Sequence, residues 1–275
     1  MMNHLICSSH TISGVMPGST PASRHSFLDR VQGAAAVGFS GLCLHIRDYA
    51  EQAEQGYSDQ ALRQILQDHG ILDLSLEFLT GWEKGKAALE PMAWAAAHAF
   101  GIKVLSVGAP PKSEDHPELP AAFGALCERA AEHGVQIGLE ITPWSHAYDL
   151  PSAQRLLQCH PDAGLILDSW HIFRGAVPLE DIARLDPEKI LQIQINDAGL
   201  DDQRPLMEQT MDRLAIGQGV FALEDFLTAC LANGCTAPVA VEVISPHQAD
   251  LPLGAALQMA HQPAADLLNK VFRKL

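Results

Sequence analysis

Short runs of aliphatic and β-branched residues alternate along the whole chain with Ala- and Leu-rich segments whose apolar residues recur at helical spacing. The runs predict eight strands, at residues 4–9, 41–46, 71–78, 103–107, 135–141, 164–167, 190–195 and 239–243. The segments between and after them predict helices at 23–37, 59–69, 87–100, 119–133, 152–159, 179–184, 223–232 and 253–270. We expect Gln262-Pro263 to break the last helix in two, because proline removes a helical hydrogen bond.

Glycines follow most of the predicted helices, as in His69-Gly70-Ile71 and His133-Gly134-Val135. A glycine just past a helix takes the left-handed conformation at no steric cost, which supports these helix ends. Eight strand–helix units in 275 residues predict one α/β domain over residues 1–275, a (β/α)₈ TIM barrel. A doubly wound open sheet is the alternative, but the first strand–helix turn lacks its GxGxxG signature.

The segment 196–221 follows the seventh predicted strand and shows no clear periodicity. A loop of that length in a compact domain is usually either functional or disordered. Because it follows a strand, it should lie at the face where active sites of barrels form.

The charge balance limits the range of partners. Eighteen basic and 33 acidic residues give a formal net charge of −15, which disfavours nucleic acids and membrane surfaces as partners. None of the six cysteines forms a CxxC pair, and the chain starts without the basic region of a signal peptide. No apolar stretch approaches about 20 residues, so we expect a cytoplasmic protein that spans no membrane.

Polar residues interrupt four consecutive predicted strands near their carboxyl ends: Glu140, Asp168, Gln194 and Glu242. A single residue of this kind is more often a surface or capping residue. Four in series, each beside aliphatic residues, should converge inside the barrel, where three carboxylates repel one another. A divalent cation resolves that repulsion, and oxygen ligands suit Mg²⁺ or Mn²⁺, with Zn²⁺ or Co²⁺ as alternatives.

Several segments resemble motifs of the xylose-isomerase-like TIM barrel superfamily, the sugar phosphate isomerase/epimerase group. LDSWHIFRG (167–175) is similar to its Asp-x-x-His strand end, and QIQIND (192–197) to its next metal strand. EITPW (140–144), RLAIGQG (213–219) and VEV (241–243) are similar to its first metal glutamate, its arginine-containing loop and its final glutamate. Two positions depart from the family: Gln194 stands where many members have histidine, and Ala215-Ile216 where the loop usually has proline.

The resemblance implies one divalent metal ion on Glu140, Asp168, Gln194 and Glu242. It also implies an isomerase or epimerase that acts on a small sugar-like hydroxy-ketone or aldehyde through an enediolate. Glu140, Glu242 and His171 are the candidate acids and bases, although His171 is alternatively a packing residue. The candidate substrate-binding residues are Arg213, Arg174, Arg47, Glu77 and Trp144.

Other functions remain open at this point. The Gln194 variant also resembles hydroxypyruvate isomerase and the 3-dehydroshikimate dehydratases, so a metal-dependent lyase is the first alternative. A catalytically silent sugar-binding barrel is the second. Endonuclease action on abasic DNA, known in one branch of the superfamily, is disfavoured by the charge of −15. The sequence leaves a homo-oligomer open.

Overall fold

A computed structural model describes residues 4–274 of the chain. Eight parallel strands follow one another around a closed barrel, and the last pairs with the first. The strands are β1 (Leu5–Ser8), β2 (Gly41–His45), β3 (Asp73–Leu79), β4 (Val104–Gly108), β5 (Gln136–Glu140), β6 (Gly164–Asp168), β7 (Ile190–Ile195) and β8 (Val239–Val241). The predicted (β/α)₈ barrel is confirmed, and its closure excludes the open doubly wound sheet.

Helices surround the barrel and connect its strands. They are α1 (Ser9–Ile12), α2 (Phe27–Val37), α3 (Ile46–Glu54), α4 (Asp59–Asp68), α5 (Glu90–Phe100), α6 (Leu119–Glu132), α7 (Leu150–Leu157), α8 (Ser169–Arg174), α9 (Leu179–Ile182), α10 (Leu206–Gln209), α11 (Leu223–Cys230), α12 (Pro246–Asp250) and α13 (Leu253–Phe272). Within residues 4–274, none of these helices has the length and apolar character needed to cross a membrane.

The predicted break in the last helix is wrong, since α13 continues from Leu253 to Phe272 with Pro263 inside it. Buried residues recur at helical spacing on both sides of the proline: Ala256, Leu257, Ala260, Ala264, Leu268 and Val271. The burial of this continuous apolar face offsets the hydrogen bond that Pro263 cannot donate.

Helix α3 is missing from the predicted elements because its sequence, IRDYAEQAE, is mostly polar and its buried side chains include Asp48 and Gln52. Asp48 accepts two hydrogen bonds from the guanidinium of Arg30 in α2, at 2.7 and 2.8 Å. Both residues are only 2% exposed. A buried ion pair between two helices therefore takes the place of the apolar contacts on which periodicity depends.

We predict that Asp48→Ala lowers the free energy of unfolding by about 3–5 kcal/mol, because it leaves the Arg30 guanidinium buried without a partner. Urea unfolding measures the change. The matched control is Asp181→Ala, which removes an exposed ion pair with Arg184 and should cost less than about 1 kcal/mol. Equal losses in the two variants would contradict the importance of the buried pair.

Candidate metal centre

The four polar residues predicted to converge do lie at the same end of the barrel. Glu140 and Asp168 are the last residues of β5 and β6, Gln194 lies in β7, and Glu242 directly follows β8. All four are buried, with 6% exposure or less. Glu140, Gln194 and Glu242 face a cavity of about 510 Å³, and Arg213 also lines this cavity.

Arg213 holds two of the carboxylates together. Its Nη1 donates to Asp168 Oδ2 at 2.8 Å and to Glu242 Oε2 at 2.7 Å. Its Nη2 donates to Thr210 Oγ1 at 2.9 Å, and the side chain is 3% exposed. Arg213 was predicted to bind substrate; the structure places it among the predicted metal ligands, as their buried counter-charge.

One arginine does not compensate the whole cluster, because ionised Glu140, Asp168 and Glu242 carry three negative charges. Burial raises the pKa of Glu242 well above its usual value, and Arg213 offsets this only in part. Burial also acts to raise the pKa of Asp168, but Arg213 and His171 outweigh it and the pKa falls. Fully ionised, the three carboxylates and Arg213 would leave two negative charges uncompensated, which is the charge that one divalent cation would neutralise. Without a cation, the raised pKa of Glu242 favours its protonated form.

Gln194 provides a further sign that a cation fits here. Its Nε2 donates to Glu242 Oε1 at 3.2 Å, which fixes the orientation of the amide. Its Oε1 is buried, and no described residue donates a hydrogen bond to it. An unpaired buried acceptor costs free energy unless a donor or a cation satisfies it. The amide oxygen and the neighbouring carboxylates form a donor set of hard oxygens, as Mg²⁺, Mn²⁺ or Zn²⁺ accept.

His171 stands next to Glu140, with Nε2 at 3.1 Å from Oε1. Helix α8 begins directly after β6, and Asp168 Oδ1 accepts from the backbone N–H of Trp170 at 2.7 Å. The Asp-x-x-His spacing therefore brings the imidazole back toward the strand end. Glu140, Asp168 and His171 each place a donor atom within 4.8 Å of the other two, so this trio is an alternative ligand set.

Asp197 explains how the long loop 196–221 is held. Its carboxylate accepts hydrogen bonds from the backbone N–H groups of Gly217, Gly219 and Phe221, at 2.9–3.1 Å. A β-carbon at Gly219 would lie 2.3 Å from Asp197 Oδ1, so only glycine fits there. The loop is thus folded onto the end of β7, and this fold delivers Arg213 to the carboxylates.

Ser8 was missed by sequence reasoning, and Glu77 was predicted only as a pocket residue. Ser8 Oγ lies 3.0 Å from Glu77 Oε1 and 3.1 Å from Glu242 Oε1. A hydroxyl has one hydrogen and donates to one carboxylate at a time, so both contacts are hydrogen bonds only when one glutamate carries a proton. Burial raises the pKa of Glu77 to about 7. The available signal was the position of Ser8 at the carboxyl end of β1.

The other predicted substrate-binding residues divide into two groups. Trp144 and Glu77 line the cavity. Arg47 is exposed at the start of α3, and Arg174 donates to the Gly199 carbonyl at 2.7 Å while it stacks on Phe221. Neither arginine is among the described residues that line the cavity, so we do not include them in the proposed site.

Comparison with known proteins identifies the class. The model of the family described as xylose isomerase-like TIM barrel matches residues 31–265, and the chain belongs to this family. A 3-dehydroshikimate dehydratase of Pseudomonas aeruginosa is 36% identical over 127 residues, which are 44% of this chain and 19% of that protein. An inosose isomerase of Bacillus subtilis is 28% identical over 156 residues, which are 54% of each chain. The chain thus spans about half or less of these relatives.

A solved structure supports the fold over the whole chain. The crystal structure of the IOLI protein with a bound zinc atom superposes with a TM-score of 0.79 and 21% sequence identity. The match covers 99% of both chains.

Glu77 should make stability depend on pH in metal-free protein. Its pKa rises from 4.5 in the unfolded chain to about 7 in the fold, so the native state keeps a proton that the unfolded state loses. The stabilising contribution of Glu77 to the free energy of unfolding is complete below pH 4.5 and is lost as the pH rises to about 7. We predict a loss of roughly 3 kcal/mol, about 1.4 kcal/mol per pH unit.

Urea unfolding of the wild type and Glu77→Gln, with a chelator present at pH 5, 6, 7 and 8, measures this dependence. The difference in unfolding free energy between the two proteins should change with that slope up to about pH 7. If the unfolding free energies of the two proteins changed in parallel with pH, Glu77 would titrate as it does in water, which would contradict the prediction.

Proposed function

We propose that the protein is a divalent-metal-dependent isomerase or epimerase of a small polyhydroxy ketone or aldehyde. The observation that carries the proposal is the buried cluster of Glu140, Asp168 and Glu242, whose charge Arg213 compensates only in part. The cluster opens into a cavity large enough for a monosaccharide-sized molecule. The family membership and the inosose isomerase relative support this reaction class.

Glu140, Asp168, Gln194 and Glu242 would hold the metal ion. When bound, the ion would supply Lewis-acid stabilisation of the negative charge that develops on a substrate carbonyl oxygen. The unpaired Oε1 of Gln194 supports its role as the fourth ligand. Arg213 orients Asp168 and Glu242, since it binds one oxygen of each, and it favours the ionised form of Asp168.

Proton transfer falls to the glutamates and their neighbours. The reaction needs a base within hydrogen-bond reach of a hydrogen on the carbon next to the carbonyl. Glu242 faces the cavity and contacts Ser8, which also contacts Glu77, so a proton taken by Glu242 has a hydrogen-bonded exit. On the other side of the cluster, Glu140 Oε1 and His171 Nε2 are 3.1 Å apart and can share the second proton.

A lyase of the 3-dehydroshikimate dehydratase type is the second candidate. The observation that favours it is the 36% identity to the Pseudomonas aeruginosa dehydratase over 127 residues. Both reactions begin with removal of a proton next to a carbonyl, and they separate afterwards. An isomerase or epimerase returns a proton to carbon, whereas a dehydratase expels a hydroxyl group as water.

We predict that the purified protein binds about one divalent metal per chain and that Glu242→Gln lowers both metal content and activity at least about tenfold. The variant replaces a charged ligand by an amide and leaves Arg213 with one carboxylate partner. Elemental analysis measures the metal. Glu132→Gln, with the same charge change at an exposed position at the end of α6, should match the wild type.

Turnover in D₂O distinguishes the two reactions and tests the proposal. An isomerase or epimerase should give a product with the composition of the substrate apart from the incorporated deuterium, while a dehydratase should give a product that has lost one water. A protein that stays metal-free in replete medium, or a fully active Glu242→Gln, would contradict the metal-dependent mechanism. Sugar binding without turnover would indicate a catalytically silent barrel.

A further inference from the structure

We propose that the substrate is uncharged outside its reacting carbonyl group and that Glu83 enforces this selection. The inference rests on the proposed function for the chemistry, but it concerns the rest of the substrate. It favours neutral polyhydroxy compounds over phosphate esters and carboxylates.

The cavity offers no free cation to an anionic group. Among the described residues that line it, Arg213 is the one arginine, and there is no lysine. The guanidinium already binds Asp168, Glu242 and Thr210. His10 also lines the cavity, but burial, together with His45 and Arg213, lowers its pKa to about 3 and keeps it neutral. The second imidazole of the lining, His171, has its Nε2 3.1 Å from Glu140 Oε1. Phosphate and carboxylate groups are usually recognised by a charged donor, and the described lining offers none that is not already beside a carboxylate.

Two lysines directly follow lining residues in the chain, Lys84 after Glu83 and Lys112 after Pro111, and the Lys84 side chain is 70% exposed. Lys84 Nζ lies 3.8 Å from Glu83 and 3.8 Å from Glu114, between two carboxylates. Lys112 Nζ donates to the Pro143 carbonyl at 3.0 Å and lies over the Tyr148 ring. Neither lysine is among the described lining residues.

Glu83 is a further acidic residue in the lining of the cavity. Its side chain is 7% exposed, and its ion-pair neighbour among the described residues, Lys84 Nζ at 3.8 Å, is beyond hydrogen-bond reach. The carboxylate oxygens are therefore available to accept hydrogen bonds from substrate hydroxyls. The same charge repels an anion that enters a site already rich in glutamates.

The remaining lining complements a neutral ring or chain. Apolar side chains from β3, α10 and several loops face the same space: Phe78, Trp144, Met207, Met211 and Ile244. Such surfaces pack against the C–H groups of a polyol, while the hydroxyls reach the polar groups. The arrangement disfavours 3-dehydroshikimate, which carries a carboxylate, and so favours the isomerase over the lyase.

Binding to the Mn²⁺-loaded protein tests the proposal without requiring turnover. Isothermal titration compares D-fructose with D-fructose 6-phosphate, and inosose with 3-dehydroshikimate. In the wild type, the neutral member of each pair should bind at least about tenfold more tightly. Glu83→Gln should reduce this ratio several-fold, and Glu83→Lys about tenfold or more. Glu188→Gln, an exposed position just before β7, should leave the ratio unchanged.

The outcomes separate this inference from the proposed function. Preferential binding of neutral compounds without turnover would support the selection rule and contradict the isomerase. Tight binding and turnover of an anion by the wild type would overturn the selection rule while the metal-dependent chemistry stands. An unchanged ratio in folded Glu83→Gln and Glu83→Lys would overturn the role of Glu83.

Discussion

The shared guanidinium of Arg213 is the interaction on which the centre depends. Asp168 and Glu242 are both buried, and each gives one oxygen to Arg213 Nη1 at 2.7–2.8 Å. Without this cation, the carboxylates at the ends of β6 and β8 would repel each other in a medium that screens charge poorly. With it, the three carboxylates of the cluster, if all ionised, would still exceed the charge of Arg213. The proposed metal ion would neutralise that charge.

The barrel imposes this arrangement through topology. Parallel strands that close on themselves bring all their carboxyl ends to one face, so residues separated by about a hundred positions meet there. The loop 196–221 completes the site, because Asp197 binds its glycine-rich end and so positions Arg213. Ser8 lies at the end of β1, and its hydroxyl contacts both Glu77 and Glu242. The site therefore needs the whole barrel.

Local patterns in the sequence predict most of the strands and helices, but they predict none of the buried ion pairs. The eight strands were predictable because each is a short apolar run, and the convergence of Glu140 and Glu242 follows from strand order. Helix α3 was not, because its buried face contains Asp48, whose partner Arg30 is distant in sequence. The ion pairs of Arg213 are invisible for the same reason. Periodicity reports which face is apolar, not which charges meet across the fold.

We propose that one metal ion binds Glu140, Asp168, Gln194 and Glu242. Anomalous diffraction from crystals grown with Mn²⁺ tests it most directly. We predict a single anomalous peak about 2.0–2.3 Å from an oxygen of each of the four side chains, including Gln194 Oε1. A peak held by Glu140, Asp168 and His171, with Gln194 Oε1 still unpaired, would contradict the claim.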